Sequence, residues 1–354
     1  MSDKKIRFGV IGAGKIGTFH VRTLSKMSGI ELVGVCDRDP MRAQKLAWEY
    51  NSTAYTRYED LIPQVDAVIV AAPTELHHQI GMYCLEHKVN TLMEKPIAST
   101  MEQARELIAK AHEKNVILQI GHVERFNPAV LEAFKYIKDP KFIAIKRLGP
   151  YDPRMANIGV VLDLMIHDID LLLTMLKSDV VSIDAVGLSA FSAHEDIANV
   201  RLKFANGCTA DVTASRASFE RSRYMNLYQE NAYISVDFMN ARVKIYKKKV
   251  PVIKSLNDID VIYPAVDKQM PITSEILHFV DCIKNDKTPG PSGEKGSKAL
   301  LVALKIIDEI KRYNVPQGTE EEKHGPIHLV QEIGTAAKIA LDESLGNLKR
   351  GSGK

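Results

Sequence analysis

Residues 9–17 read GVIGAGKIG, placing Gly12, Gly14 and Gly17 in the spacing GxGxxG between an apolar run of strand length and a helical pattern. No other stretch limits the possible folds so tightly. A glycine at 12 lets the chain turn sharply out of a strand, one at 14 lets a pyrophosphate approach the backbone, and one at 17 lets the helix pack on the strand. The helix start then offers unpaired N–H groups and the positive end of its dipole to phosphates, with Lys15 and Ile16 beside them. Alone, the pattern also describes an ordinary tight turn. Asp37, twenty residues after Gly17 at the end of the next apolar run, strengthens the dinucleotide reading. An acid there accepts hydrogen bonds from an adenosine ribose diol and repels a 2′-phosphate, which favours NAD over NADP. Arg38 argues the other way, and Asp37 has a second reading as the cap of a helix starting near residue 40.

The first 120 residues alternate between two periods. Apolar runs at 6–12, 31–36, 66–73, 89–94 and 115–120 are separated by helical patterns at about 15–27, 40–49, 75–87 and 99–114. Continuous apolar runs describe strands buried on both faces, as in a parallel sheet. The alternation predicts an α/β domain, a doubly wound parallel sheet of the Rossmann type, over residues 1–122.

Beyond residue 122 the pattern changes. A helix-like segment, ERFNPAVLEAFKYI, precedes the strand-like KFIAIKRLG, and a second helix follows. Strand-like segments fill residues 179–263, with Asn206–Gly207 as a hairpin signal. Helical patterns follow at about 272–285 and 295–313. The expectation for residues 123–325 is an α+β domain with a large open, mostly antiparallel sheet. Its uncovered face suits self-association, hence a homo-oligomer, dimer or tetramer. Residues 326–354 are expected to form a last helix and a loose tail.

The 47 basic and 44 acidic residues leave a net charge of +3, too balanced to argue for nucleic acid. Cys36, Cys84, Cys208 and Cys282 stand far apart without a CxxC pair, against a zinc site or a disulfide frame. No run approaches the roughly 18 apolar residues of a membrane span, and the N-terminal stretch lacks the pattern of a signal peptide. A cytoplasmic protein with no metal is expected.

Ligands of open parallel sheets bind at the carboxyl ends of the strands. Ala72, Pro73 and Thr74 in APTELHH stand at one such end, with His77 in the helix behind them. Thr74 has an alternative as a plain helix cap. Glu94 and Lys95 in EKPIAST stand at the next strand end. Lys95 could polarise a substrate oxygen there, or the two could form an ordinary ion pair. In LDLMIHDIDLL, residues 162–172, a helix at about 100° per residue puts Asp163, His167 and Asp170 on one polar stripe, with Asp168 opposite. That stripe is either a buried network or the wall of a cleft.

GVIGAGKIG, EKPIAST and DLMIHDID, in this order and with a strand-rich second half, resemble the glucose–fructose oxidoreductase/inositol dehydrogenase/MocA family of sugar oxidoreductases over about residues 5–310. The resemblance implies NAD as cofactor, with Glu94 and Lys95 beside it, and Lys95, Asp163 and His167 as catalytic residues. His167 would take the hydroxyl proton, Asp163 would orient the imidazole, and Lys95 would stabilise the forming carbonyl oxygen; Lys95 as the base is the alternative. One departure is that Leu164, Met165 and Ile166 fill the segment between the pair, with Gly159 its one flexible point. GHVERFNPAV and the block at residues 194–218 are similar to members that oxidise nucleotide sugars. This implies oxidation of UDP-N-acetylglucosamine at C3, giving a 3-keto sugar for an aminotransferase in lipid A-type amino-sugar synthesis. A free polyol or UDP-N-acetylglucosaminuronate is the alternative substrate. A UDP-sugar needs cations and hydrogen-bond donors, for which Arg125, Arg154, Arg216, Arg221, Arg223, His122 and Asn127 are candidates. A non-catalytic dinucleotide-binding regulator is the reading of another class, against which the joint presence of Lys95, Asp163 and His167 weighs.

Overall fold

The structure, a computed structural model, describes residues 5–314. The helix and tail expected over 326–354 lie outside the described residues. The first half builds a six-stranded sheet from β1 (Ile6–Ile11), β2 (Ile30–Cys36), β3 (Thr53–Tyr55), β4 (Ala67–Val70), β5 (Asn90–Glu94) and β6 (Leu118–Gly121). Every pair is parallel, in the order β3-β2-β1-β4-β5-β6. The order reverses between β1 and β4, which opens the crevice where dinucleotides bind in such sheets. Between the strands run α1 (Lys15–Leu24), α2 (Pro40–Glu49), the short α3 (Tyr58–Leu61), α4 (Thr74–Glu86) and α5 (Met101–Lys114).

Alternate side chains of these strands feed two separate cores. Phe8, Val10 and Ile69 meet Val21 and Leu24 of α1 and Leu46 of α2 on one face. Ile11, Val68, Val70 and Met93 meet Ile80 and Leu85 of α4 and Leu107 of α5 on the other. This double burial explains the unbroken apolar runs.

The chain then forms a 3-10 turn, Val123–Phe126, and α6 (Pro128–Phe134). One continuous helix was the expectation here. Pro128 has no N–H to continue it, and Asn127 caps the new start by accepting from the Ala129 amide at 3.1 Å. Next come β7 (Pro140–Leu148), a turn of π-helix at Val161–Met165, and α7 (Ile166–Leu176). Seven further strands follow: β8 (Val180–Leu188), β9 (Ile197–Phe204), β10 (Thr209–Ser215), β11 (Ser222–Gln229), β12 (Ala232–Asp237), β13 (Arg242–Lys248) and β14 (Ile259–Ile262). With β7 they form an eight-stranded sheet, β14-β13-β12-β11-β7-β10-β9-β8, in which β10 and β7 alone run parallel. The Asn206–Gly207 turn joins β9 to β10, with Gly207 at φ +85°.

One face of this sheet packs on α6, α7 and the helix over Gly293–Asn314. The other carries an aromatic row, Phe142, Tyr228, Tyr233 and Tyr246, with ring centroids 5.0–5.6 Å apart. The last two helices among the described residues, α8 (Pro271–Asn285) and α9 (Gly293–Asn314), return to the first sheet. Phe279 of α8 meets Phe8 edge-on, and Leu300 of α9 joins the core on the opposite face. A linear division at residue 122 therefore misses part of the packing around the first sheet.

Candidate active site

The glycine loop has the geometry its spacing predicts. Gly12 sits at φ +104°, and a Cβ there would lie 2.5 Å from the Ala71 carbonyl oxygen. A Cβ on Gly17 would collide with the Gly12 carbonyl, so helix and strand approach too closely for any side chain. A Cβ on Gly14 would meet nothing within 4 Å. That glycine keeps clear the space in front of the α1 amino end, where no side chain caps the helix. The cradle therefore fits a pyrophosphate on the exposed side of Gly14, Lys15 and Ile16.

Asp37 holds this loop to the second strand. It accepts from the Ala13 amide at 2.7 Å and from the Asp39 amide at 2.9 Å. The helix cap is Asp39, accepting from Met41 and Arg42, so the capping alternative for Asp37 does not hold. A carboxylate has about four acceptor positions, and two remain for a ribose diol. Arg38 is exposed beside it.

Behind the loop, the ends of β4 and β5 are tied together. Pro73 precedes α4 and Thr74 is its first residue, not its cap. His77 is buried, with Nδ1 2.8 Å from the Pro96 carbonyl and Nε2 2.9 Å from the Ala72 carbonyl. It thus spaces the Ala72–Thr74 segment from the EKP segment rather than facing the cleft. Burial pushes its pKa down. Glu94 is anchored from below by His20, Nε2 to Oε1 at 2.7 Å. Glu275 of α8 lies against this pair, fully buried with both carboxylate oxygens unpartnered. Burial and the nearby Glu94 raise its pKa well above the usual carboxylate range.

The Lys95 side chain reaches the second half of the chain. Its Nζ stands 2.5 Å from the Asp163 backbone carbonyl and 3.2 Å from Asp163 Oδ1. The expectation that Asp163 orients the imidazole is corrected: its carboxylate holds the ammonium, and Nδ1 of His167 has no hydrogen-bond partner. The π turn is the reason. Asp163 lies inside it and His167 in the α-helix beyond, so the two do not share an ordinary helical face. Glu195 fixes the turn, its carboxylate accepting from the Val161 amide and its carbonyl from Val160. A Cβ on Gly159 would strike the Glu195 carboxylate, so any side chain there would displace that carboxylate from the turn.

His167 is half-buried. Burial, then the charges of Lys95, Arg147, His122 and Arg223, hold its pKa well below the usual histidine value. The imidazole is therefore neutral at ordinary pH. Sequence reasoning passed over Arg147, a strand residue in a run read only for its apolar period. It binds both oxygens of Asp168 at 2.7–3.2 Å and Glu124 at 2.7 Å, all three buried.

Several candidates are committed elsewhere. Arg125 forms a two-point pair with Asp170 at 2.5 and 2.6 Å and donates to the Gly290 carbonyl. Arg216 is buried, bound to Asp196, Ser192 and the carbonyls of Met155 and Ile158. Neither guanidinium is free for a diphosphate. Asn127 is spent on its cap, Glu124 and the Phe238 carbonyl. His122 is buried, its Nε2 3.7 Å from Asp170. The Arg154 side chain lies outside the described residues.

Fold and site together define an NAD-binding oxidoreductase. The family model for the oxidoreductase NAD-binding Rossmann fold matches residues 6–122, and the GFO/IDH/MocA C-terminal domain matches 146–235. The chain belongs to the GFO/IDH/MocA family; it is an NAD-dependent oxidoreductase acting on CH–OH groups of sugars. It is 33% identical over 311 residues to UDP-N-acetylglucosamine 3-dehydrogenase of Acidithiobacillus ferrooxidans, covering 85% of this chain and 96% of the relative. The structure of that relative superposes with a TM-score of 0.81 at 31% identity, covering 87% of this chain and 99% of the other. The scyllo-inositol 2-dehydrogenase (NAD(+)) of Bacillus subtilis is 26% identical, covering 81% of this chain and 89% of the relative. A scyllo-inositol dehydrogenase of Lactobacillus casei, solved with NAD(H) and scyllo-inositol, shares the fold with a TM-score of 0.74 at 19% identity, covering 88% and 98% of the two chains. None of the described helices is long and apolar enough to cross a membrane.

Proposed function

We propose that the substrate is a nucleotide sugar, UDP-N-acetylglucosamine, oxidised at C3 to the 3-keto sugar. The observation that carries this reading is the 33% identity to the Acidithiobacillus enzyme over nearly its whole length. NAD would lie along Gly12–Gly17, Asp37 and the Ala72–Thr74 segment, and when bound it accepts the hydride. The chain's own groups do the rest. His167, kept neutral and partly open to the cleft, takes the hydroxyl proton. Lys95, held by the backbone carbonyl and Oδ1 of Asp163, stabilises the oxygen as it becomes a carbonyl. Asp163 thus positions the ammonium, and Glu94 and His77 hold the strand ends on which Lys95 stands.

A ketone next to an acetamido carbon is a substrate for an aminotransferase, the partner reaction we assign to the product. The aromatic row on the open sheet face is the surface we assign to a homo-oligomer.

Reduction of NAD, followed at 340 nm, with UDP-N-acetylglucosamine and a carbonyl trap tests the reading. Lys95→Met should lower kcat by about 10²-fold or more. Reduction with a free inositol and with no UDP-sugar would replace this substrate by a polyol.

A further inference from the structure

Three buried arginines have their charges answered. Arg125 is held by Asp170, Arg216 by Asp196, and Arg147 by both Asp168 and Glu124. Arg223 is different. Its nearest carboxylate oxygen among the described residues is Glu124 Oε1 at 3.8 Å, and Arg147 already occupies that same oxygen at 2.7 Å. The side chain is 46% exposed. Residues alternate along β11, so Arg223 shares the inner face with Met225 and Leu227, both fully buried beneath it. It is also the direct cross-strand partner of Arg147 in the β11–β7 ladder. Like charges facing each other on adjacent strands destabilise a sheet; Asp168 and Glu124 both bind Arg147 directly, which leaves Arg223 without a close hydrogen-bonded anion of its own.

The position of this cation matters as much as its charge. Arg223 is among the groups whose charge acts on the His167 imidazole, and it acts on Asp168 as well. Burial and then the neighbouring Arg147 push its own pKa down, against the pull of Glu124 and Asp168. A guanidinium presents a planar fork that matches the paired oxygens of a phosphate or a carboxylate.

We propose that Arg223 binds an anionic group of the substrate, and thereby selects charged sugar derivatives over neutral polyols. The inference rests on the assignment of His167 as the base in sugar oxidation, and it adds the residue that recognises the substrate's charge. Phosphate and carboxylate share the required chemistry. The diphosphate of a nucleotide sugar is one source and the carboxylate of a uronate the other.

Calorimetric titration of the NAD-loaded enzyme with UDP alone separates the sources without turnover. A diphosphate contact makes UDP bind the parent enzyme and bind Arg223→Gln at least tenfold more weakly, with Arg223→Lys between them. A carboxylate contact leaves UDP affinity equal in all three and raises KM at least tenfold in Arg223→Gln for UDP-N-acetylglucosaminuronate only. In either case kcat stays within about threefold, NAD affinity is unchanged, and a neutral inositol is handled alike by parent and variant. A positioning effect confined to structure would not move the acid limb of kcat/KM. Loss of this charge should move it to higher pH, because one of the cations depressing His167 is gone.

The inference is overturned if Arg223→Gln binds UDP and turns over both UDP-sugars with parental KM. Its failure is distinguishable from failure of the substrate assignment. An enzyme that oxidises UDP-N-acetylglucosamine and turns over both UDP-sugars equally well without Arg223 refutes the first alone. An enzyme that oxidises only the uronate, with a raised KM in Arg223→Gln, refutes the second alone.

Discussion

Alanine at Gly14 and alanine at Gly17 should separate cofactor binding from folding, although the two glycines are three residues apart in one loop. Gly14 has φ −75° and ψ −170°, a conformation alanine adopts freely. Its new Cβ would meet nothing within 4 Å. Loss of chain entropy in the unfolded state favours alanine by about 0.4–1 kcal/mol, and its poorer performance at a helix N-cap costs a similar amount. The net change is expected within about 1 kcal/mol, a melting shift of at most roughly 4 °C for a domain of this size. The methyl group would instead occupy the space through which a pyrophosphate reaches the backbone. NADH affinity should fall at least about tenfold, or about 1.4 kcal/mol.

At Gly17 the balance is reversed. The added Cβ collides with the Gly12 carbonyl oxygen, so the backbone of β1 or α1 must shift. Overpacking of this kind costs about 1–3 kcal/mol or more. The melting temperature should drop by several degrees before any ligand is added. Scanning fluorimetry of the free proteins and fluorescence titration with NADH read the two quantities. Parental NADH affinity in Gly14→Ala would show that the pyrophosphate does not pass over that residue. Parental melting of Gly17→Ala would show that the helix does not press on the strand as described.

Arg147→Met strands Asp168 and Glu124 in the interior, and equilibrium denaturation should show a loss of about 3–5 kcal/mol. Glu275→Gln should act in the opposite sense once the pH rises above the ordinary carboxylate range. The Glu275 pKa is raised in the folded state, so its contribution is present below the unfolded carboxylate value and lost as pH rises through the folded one. The glutamine variant, having nothing to ionise, should gain stability over the parent as the pH of a melting series rises, and parallel curves would contradict the buried carboxyl as the source. The acid limb of kcat/KM should fall well below pH 6.5, because burial and the charges of Lys95, Arg147 and Arg223 lower the His167 pKa; a limb centred at the unperturbed value would mean that the titrating base is another group.

The glycine loop and the parallel strands could be read from sequence because each depends on local backbone sterics or on burial of both faces. Gly12, Gly17 and the runs at β1 and β4 carry their reasons in a few adjacent residues. The three-residue edge strand β3 was missed because Thr53–Tyr55 is too short to show a period, and two of its residues are exposed. The fates of Arg125 and Arg216 were hidden for a different reason. Their partners, Asp170 and Asp196, lie 45 and 20 residues away, and nothing in a linear pattern tells a paired guanidinium from an unpaired one. His20 and Glu275 were missed on the same ground, since tertiary packing alone brings them to Glu94.

The polar stripe on residues 163–170 failed more informatively. A regular helix would have set Asp163 against His167, the arrangement that raises the basicity of an imidazole. The π turn gives Asp163 to Lys95, and the histidine is left among cations that lower its basicity. In the proposed reaction this is no handicap. The field that disfavours a proton on His167 also favours a negative oxygen on the substrate carbinol beside it. Both proton affinities fall together, so the transfer between them stays nearly balanced. Meanwhile the base remains unprotonated over a wider pH range, and Lys95 remains aimed at the oxygen whose charge grows. Placing the carboxylate on the lysine instead of the histidine thus changes which residue is positioned, and leaves the chemistry of alcohol oxidation intact.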